Sequence, residues 1–298
     1  MSGTLAESIP VDVTHPERVV FPSSDSSAGI TKGDIVAYYA LVADAVLPEV
    51  IDRPLTLERY TKSIVEGGFY QKHAQKHYPA FVERVTLGGK TKVTYPVVTD
   101  RESLLYLVNQ GGFVLHIWSS RRATPMQPDA LIFDLDPPEG RFDLAREVAV
   151  KTKALLDEMQ LPAFIKTTGS KGLHVVVPLD GKDDYGDAGQ LISALAKILV
   201  QRHPDLVTLE FYKKDRGGRL YLDLGRTAPG ATFVAPYSLR GRPGAPVSAP
   251  IEWSELATVT PDGITLRDVP HRLERGDPWA ALRANPANAT DVLRALLR

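Results

Sequence analysis

The chain has 298 residues, 43% apolar and 24% charged, with 35 Lys and Arg against 36 Asp and Glu for a net charge of −1. That is enough for one large core or two closely packed lobes, and the absence of cysteine excludes disulfides, thiolate nucleophiles and Cys-based zinc sites. No run of about 18 apolar residues occurs, and Met1-Ser2-Gly3-Thr4 has neither a basic nor an apolar leader, so a cytoplasmic protein without a membrane partner is expected.

The near-neutral total hides two basic segments. Arg53, Arg59, Lys62, Lys72, Lys76, Arg84, Lys90 and Lys92 face only Glu58, Glu66 and Glu83, and Lys213, Lys214, Arg216, Arg219, Arg226, Arg240 and Arg242 face only Asp215 and Asp223. Each is either solvated surface or a face for phosphate, since local charge governs phosphate binding more than the total does.

Along the chain, Val11 to Pro22 reads as an extended segment interrupted by a turn, and Ser23 to Gly29 as a flexible loop of small polar residues. Thr31 caps a helix with Asp34 in its first turn, Ile35, Tyr38, Tyr39, Val42 and Val46 recur at helical spacing, and Pro48 closes the run. Arg53 to Arg59 alternates as a strand. After the Gly67-Gly68 hinge, Phe69 and Tyr70 either stack on bases beside Lys72 or straddle a strand, one in and one out. A helix over 103–110 precedes a strand over 113–118, on which Val114, His116 and Trp118 share a face; His116 is either a hydrogen-bonded structural residue or a ligand.

The run Leu131-Ile132-Phe133-Asp134-Leu135-Asp136-Pro137-Pro138 is a short buried strand that ends in two carboxylates and is stopped by two prolines. Alternation puts Asp134 and Asp136 on one side and Phe133 and Leu135 on the other. Unpaired carboxylates so close repel each other and resist burial unless a cation sits between them, and hard oxygen donors suit Mg²⁺ or Mn²⁺; the alternative is a solvated strand end. A helix from about Asp143 to Met159 follows. Two strands, 162–167 and 173–179, are then joined by Thr168-Gly169-Ser170-Lys171-Gly172, which is either a plain hairpin turn or a loop offering N–H groups and a cation to an oxyanion. His174 stands directly after that turn. Tyr185 to Gln201 is an amphipathic helix, 206–212 is strand-like, and in Arg219 to Leu224 the carboxylate of Asp223 interrupts an apolar strand and requires a metal, an Arg or backbone donors as partner. Residues 232–240 run as a strand into a Pro/Gly loop. The remainder, with Trp253, Trp279 and a final helix, reads as packing.

Three carboxylates on two strands, a Gly-Ser-Lys-Gly-Leu-His turn and basic surroundings fit two-metal phosphoryl transfer. At this point the chain resembles a family. Thr31-Lys32-Gly33-Asp34, Gly68-Phe69-Tyr70-Gln71-Lys72-His73, Phe133-Asp134-Leu135-Asp136-Pro137, Lys166-Thr167-Thr168-Gly169-Ser170-Lys171-Gly172-Leu173-His174-Val175 and Ala235-Pro236-Tyr237-Ser238-Leu239-Arg240 look like the polymerase domain of the bacterial end-joining ligase D, in the archaeo-eukaryotic primase superfamily. The likeness runs from about Val11 to Trp279, in the family's order.

The resemblance implies that Asp134, Asp136 and Asp223 bind two Mg²⁺ or Mn²⁺ ions. Ser170, Lys171, Gly172 and His174 would hold an incoming NTP or dNTP, with Arg216, Arg240 and His116 as neighbours. Phe69 and Tyr70 would handle the template. His15, Arg18 and Lys32 would grip a 5′-phosphate at a gap or double-strand break, and Arg53 in the first basic segment would add to the DNA-binding surface. Leu224-Gly225-Arg226-Thr227 departs from the family's Tyr/Trp-x-x-Asn run. The implied activity is template-dependent extension of a primer, with ribonucleotides preferred and with a Ku protein and a ligase as partners. The alternatives are a primase that starts strands unaided, a non-catalytic binder of 5′-phosphorylated ends, and a metal-dependent nuclease. The fold class is α+β: a primase-polymerase-like core of mixed, mostly antiparallel sheets flanked by helices. Residues 1–298 would form one domain, with the template and 5′-phosphate surface in about 10–120, the metals and nucleotide in 121–280, and a C-terminal helix in 281–298.

Overall fold

A computed structural model describes residues 10–23, 28–89 and 91–296. The middle of the polar loop expected at 23–29, Lys90 of the first basic segment and the last two residues of the C-terminal helix lie outside the described residues. Two sheets organise the rest. Their strands are β1 (Leu55–Arg59), β2 (Phe69–Gln71), β3 (Gly112–Ile117), β4 (Ala130–Asp136), β5 (Phe164–Thr167), β6 (Leu173–Pro178), β7 (Val207–Thr208), β8 (Leu220–Asp223), β9 (Phe233–Val234) and β10 (Pro250–Ile251). The helices are α1 (Lys32–Leu41), α2 (Ala43–Val50), α3 (Arg101–Asn109), α4 (Phe142–Glu158), α5 (Tyr185–Arg202), α6 (Val269–Leu273) and α7 (Ala289–Leu296).

The larger sheet has the order β7-β8-β4-β6-β5-β10, all neighbours antiparallel except β7 and β8. Its middle strand, β4, buries Leu131, Phe133 and Leu135 on the side covered by α4 and α5. The period of two then sends Asp134 and Asp136 to the other side. Pro137 and Pro138 end the strand because neither can donate to a ladder. The smaller sheet has the order β9-β3-β1-β2. One continuous core, from Val20 to Ala289, runs through both sheets, and β9 carries a segment of the C-terminal half into the sheet of the N-terminal half. The stretches before and after residue 120 therefore share one sheet. Three further two-stranded ribbons and three short 3₁₀ turns complete the described elements.

Several elements differ from the expected spans. The first helical run divides at Val42 into α1 and α2, and Pro48 lies inside α2 rather than ending it; there it leaves only one carbonyl, a turn earlier, without its donor. The cap at Thr31 is a full capping box, with Asp34 accepting from the Thr31 backbone at 2.8 Å. The strands expected at 206–212 and 232–240 shrink to two residues each; past Ala235, whose N–H still reaches the Leu115 carbonyl of β3, Tyr237 and Arg240 donate instead to the loop carbonyls of Ser248 and Pro246. The C-terminal helix begins at Ala289, not at 281. Trp253 and Trp279 do act in packing: their indole N–H groups donate to the carbonyls of Ala163 and Ile165 and so tie down the start of β5.

Candidate active site

Register, more than proximity in sequence, assembles the site. Asp134 on β4 pairs directly with Asp223 on β8 and with His174 on β6, and His174 pairs in turn with Lys166 on β5. Paired residues of adjacent strands project to the same face. One row across four strands therefore reads Lys166, His174, Asp134, Asp223, and Asp136 stands two residues further along β4, opposite Tyr221.

The β5–β6 turn holds Ser170, Lys171 and Gly172 against the end of β4. Two glycines make that approach possible. Gly169 has φ +63°, and a Cβ there would lie 2.8 Å from the Val247 backbone. A Cβ on Gly172 would lie 2.1 Å from the Leu135 carbonyl oxygen. Thr168 closes the turn by accepting from the Gly172 N–H at 3.2 Å. The result is a cleft of about 370 Å³ between the two sheets, whose lining includes Asp134, Asp136, Ser170, Lys171, Gly172, His174, His116, Arg240, Arg226 and Tyr70. Arg240 is anchored there by a hydrogen bond to the Thr168 carbonyl at 3.0 Å.

Most of the sequence-expected nucleotide residues thus meet in one cleft. Asp223 and Arg216 stand just outside its lining. Asp223 adjoins Asp134, while Arg216 lies over the Tyr221 ring at 4.0 Å with a nitrogen 3.7 Å from Asp136. Phe69 and Tyr70 are both exposed, at 49% and 63%, but alternation separates them. Tyr70 meets the His116 ring edge-on at 5.5 Å, whereas Phe69 lies under the Arg59 guanidinium on the opposite face of β2. Only Tyr70 borders the cleft.

Burial and the crowd of cations set the protonation states. Burial and then Lys166 hold His174 down at about 4. Burial and then Arg240 hold His116 down at about 3, and its Nε2 is buried without a partner. Both imidazoles are neutral at pH 7. Burial opposes ionisation of Asp134, but the His174 contact and Arg226 override it and keep the carboxyl at about 2. Burial and the neighbouring Asp134 push Asp136 upward, as expected of two acids that lack a cation between them.

The donor set fits hard divalent cations: carboxylate oxygens on adjacent rigid strands, one side of the cleft open for water and phosphate. Among the described residues no three His, Cys, Asp or Glu side chains close on a single point, and Arg226 stands between two of the acids. Its Nε donates to Asp134 at 3.0 Å and its Nη2 lies 3.3 Å from Asp223. Arg226 and Lys166 are site residues that the sequence reading did not single out. Lys166 left a signal of the same kind as Asp223, a charge in an apolar strand. Arg226 is visible only as one cation of the second basic segment and as part of the departure from the family's run after Asp223.

The second group lies at the start of α1. The turn at 15–18 folds over it, with the Lys32 N–H donating to the Arg18 carbonyl and the Gly33 N–H to the Pro16 carbonyl, each at 2.8 Å. Lys32 is buried, its Nζ donating to the Thr14 carbonyl and hydroxyl, and burial followed by the nearby Arg18 lowers it to about 8. Arg18 donates to the Thr61 carbonyl and leaves its Nε buried without a partner. His15 is exposed beside Glu17. Two cations are held together here, with Glu17 near enough to act on both. Arg53 does not join any such surface. It is 1% exposed, bonded to Asp129 at 2.6 Å and to the Trp118 and Glu49 carbonyls, so the expected DNA contact is corrected to a buried structural pair.

An α+β core with acids in register beside a cation-lined cleft is the architecture expected of the primase-polymerase class. Comparison with known proteins agrees: residues 31–279 match the model of the LigD primase-polymerase domain. The chain is 33% identical over 280 residues to the multifunctional non-homologous end joining protein LigD of Mycolicibacterium smegmatis, and 30% identical over 288 residues to the bifunctional LigD of Bacillus subtilis. These alignments take in 92% and 95% of this chain but 36% and 46% of those proteins, so the chain spans less than half the length of either. The polymerase domain of Mycobacterium tuberculosis ligase D, solved in complex with DNA, superposes with a TM-score of 0.84 at 31% identity over 93% of this chain and 99% of that one. The chain belongs to the LigD primase-polymerase family. Among the described residues no helix is long and apolar enough to cross a membrane.

Proposed function

We propose that this chain extends primer 3′ ends on a template at gaps and double-strand breaks, with ribonucleotides preferred and a 5′-phosphorylated DNA end as its anchor. The observation that carries the reading is the registered row of Lys166, His174, Asp134 and Asp223 beside the Ser170-Lys171-Gly172 turn. Asp134, Asp136 and Asp223 would hold two Mg²⁺ or Mn²⁺ ions. Such ions, when bound, activate the attacking 3′-hydroxyl and stabilise the departing pyrophosphate.

The chain's own residues do the rest. The turn's N–H groups, Ser170 and Lys171 receive the triphosphate, and Arg240, hydrogen-bonded to the Thr168 carbonyl, adds a positive charge beside them. His116 is neutral, lines the cleft and has a buried Nε2 without a partner, which would hydrogen-bond a sugar hydroxyl that reached it. A 2′-hydroxyl both donates and accepts, so such a contact would favour ribose. Tyr70 borders the cleft where a templating base would stack. Lys32 and Arg18, with His15 beside them, would take the 5′-phosphate. A Ku protein and a ligase are the proposed partners, in line with the end-joining names of the relatives.

The test is extension of a gapped duplex, with and without the downstream 5′-phosphate, using ribo- and deoxyribonucleotides with Mg²⁺ or Mn²⁺. Ribonucleotide addition stimulated by the 5′-phosphate, and lowered on the order of a thousandfold by Asp134→Ala, is the expected result. Full activity in Asp134→Ala refutes the reading, and addition to an unprimed strand would reassign the chain as a primase.

A further inference from the structure

Arg226 has no part in the chemistry just proposed, yet it occupies the middle of the acids. Its fork takes Oδ2 of Asp134 and Oδ2 of Asp223, while Nη1 reaches the Thr232 carbonyl at 3.4 Å. One oxygen from each of two adjacent carboxylates is what a bridging divalent ion would also use. A guanidinium and a metal ion would compete, in charge and in space, for those oxygens. The other oxygen of Asp134 faces His174 Nε2 at 3.4 Å, longer than the 3.0 Å contact from Arg226 Nε. Arg226 is therefore the cation that keeps two registered carboxylates together on a largely buried sheet face.

The side chain also has somewhere to go. It is 40% exposed and already lines the cleft that holds Ser170, Lys171 and Arg240. A triphosphate in that cleft would offer a planar guanidinium two oxygens at once.

We propose that Arg226 is an internal counter-ion that holds Asp134 and Asp223 in the absence of metal, that a divalent ion displaces it, and that the nucleotide's phosphates receive the displaced guanidinium. Metal and nucleotide occupancy are then coupled through one side chain, and by linkage each favours the other. The inference rests on the reading of the three acids as metal ligands.

The experiment titrates the full chain with Mn²⁺ in the absence of nucleotide and follows the signal of free Mn²⁺ by electron paramagnetic resonance. Wild type, Arg226→Gln, Arg226→Lys, Asp134→Asn and the Arg226→Gln/Asp134→Asn double variant are compared. Removing the competitor should tighten Mn²⁺ binding roughly tenfold in Arg226→Gln, within the usual span of site-to-site couplings, and by a smaller factor in Arg226→Lys. In EDTA, Arg226→Gln should melt below wild type, and Mn²⁺ should raise its melting temperature by more. Mn²⁺ should improve the affinity for a non-hydrolysable triphosphate by a smaller factor in Arg226→Gln than in wild type. Unchanged or weaker Mn²⁺ binding in both Arg226 variants overturns the counter-ion, as does an equal Mn²⁺ effect on nucleotide affinity. If Asp134→Asn binds Mn²⁺ as wild type does, the assignment of the acids falls and the counter-ion falls with it. Loss of Mn²⁺ binding in both Asn variants, without tightening in Arg226→Gln, refutes the counter-ion alone.

Discussion

Gly172→Ala tests how the β5–β6 turn, the proposed phosphate site, is held against the acid strand. The added methyl would lie 2.1 Å from the Leu135 carbonyl oxygen and 3.3 Å from Pro137, whereas ordinary contact begins at 3.4 Å. The obstacle is backbone in the middle of the main sheet, so the turn must retreat by more than an ångström. Overpacking of this kind costs roughly 1–3 kcal/mol of stability. The functional effect is larger, because Ser170 and Lys171 move with the turn while Asp134 and Asp136 stay on β4; misplacement of about an ångström costs on the order of a hundredfold in rate. Gapped-duplex extension and equilibrium nucleotide binding measure the loss, and urea denaturation measures the destabilisation. Gly189→Ala is the control: it lies within α5, has nothing within 4 Å of an added Cβ, and should stabilise by about 0.4–1 kcal/mol. Wild-type extension and stability in Gly172→Ala would refute the claim that close approach to Leu135 sets the turn.

Other consequences are as direct. Arg53→Ala leaves Asp129 with a buried, less compensated charge, and should cost about 3–5 kcal/mol in urea unfolding, less whatever Arg121 and Arg283 make up through their own contacts with Asp129; affinity for DNA at a temperature where it stays folded should not change. Lys32, lowered to about 8, is protonated below that pH and neutral above it, so preference for a 5′-phosphorylated over an unphosphorylated end should fall as pH rises from 7 to 9, and Lys32→Arg should abolish that dependence in fluorescence anisotropy. Equal pH profiles for the two ends would remove Lys32 from the phosphate site. Tyr70→Ala should weaken templated nucleotide binding by about 1–3 kcal/mol while Phe69→Ala leaves it unchanged, since only Tyr70 shares the cleft with His116; equal losses would contradict the separation of the two rings by β2.

Much of the site is local in sequence. The alternation that throws Asp134 and Asp136 to one side of β4, the prolines that end it, the glycines of the β5–β6 turn and the cap at Thr31 all follow from short-range rules, and the structure has each of them. Pairings between distant segments are less legible. Nothing in 232–240 shows that two of its residues close the N-terminal sheet, or that the cleft beside the acids draws His116 from one half and Arg240 from the other. Arg53 looks like any surface cation in a basic run, because the acid that buries it, Asp129, is 76 residues away.

What the sequence determines by itself is which side chains share a face of their own strand, since that depends only on a two-residue period. Which faces come together is a matter of register between strands distant in the chain. Pairing of β8 with β4 sets Asp223 directly opposite Asp134 and brings Arg226 into their midst. A slip of one residue in that pairing would turn Asp223 into the apolar layer beneath α4 and leave Arg226 without its acids, and burial of Leu220 and Leu222 in that layer is what forbids it.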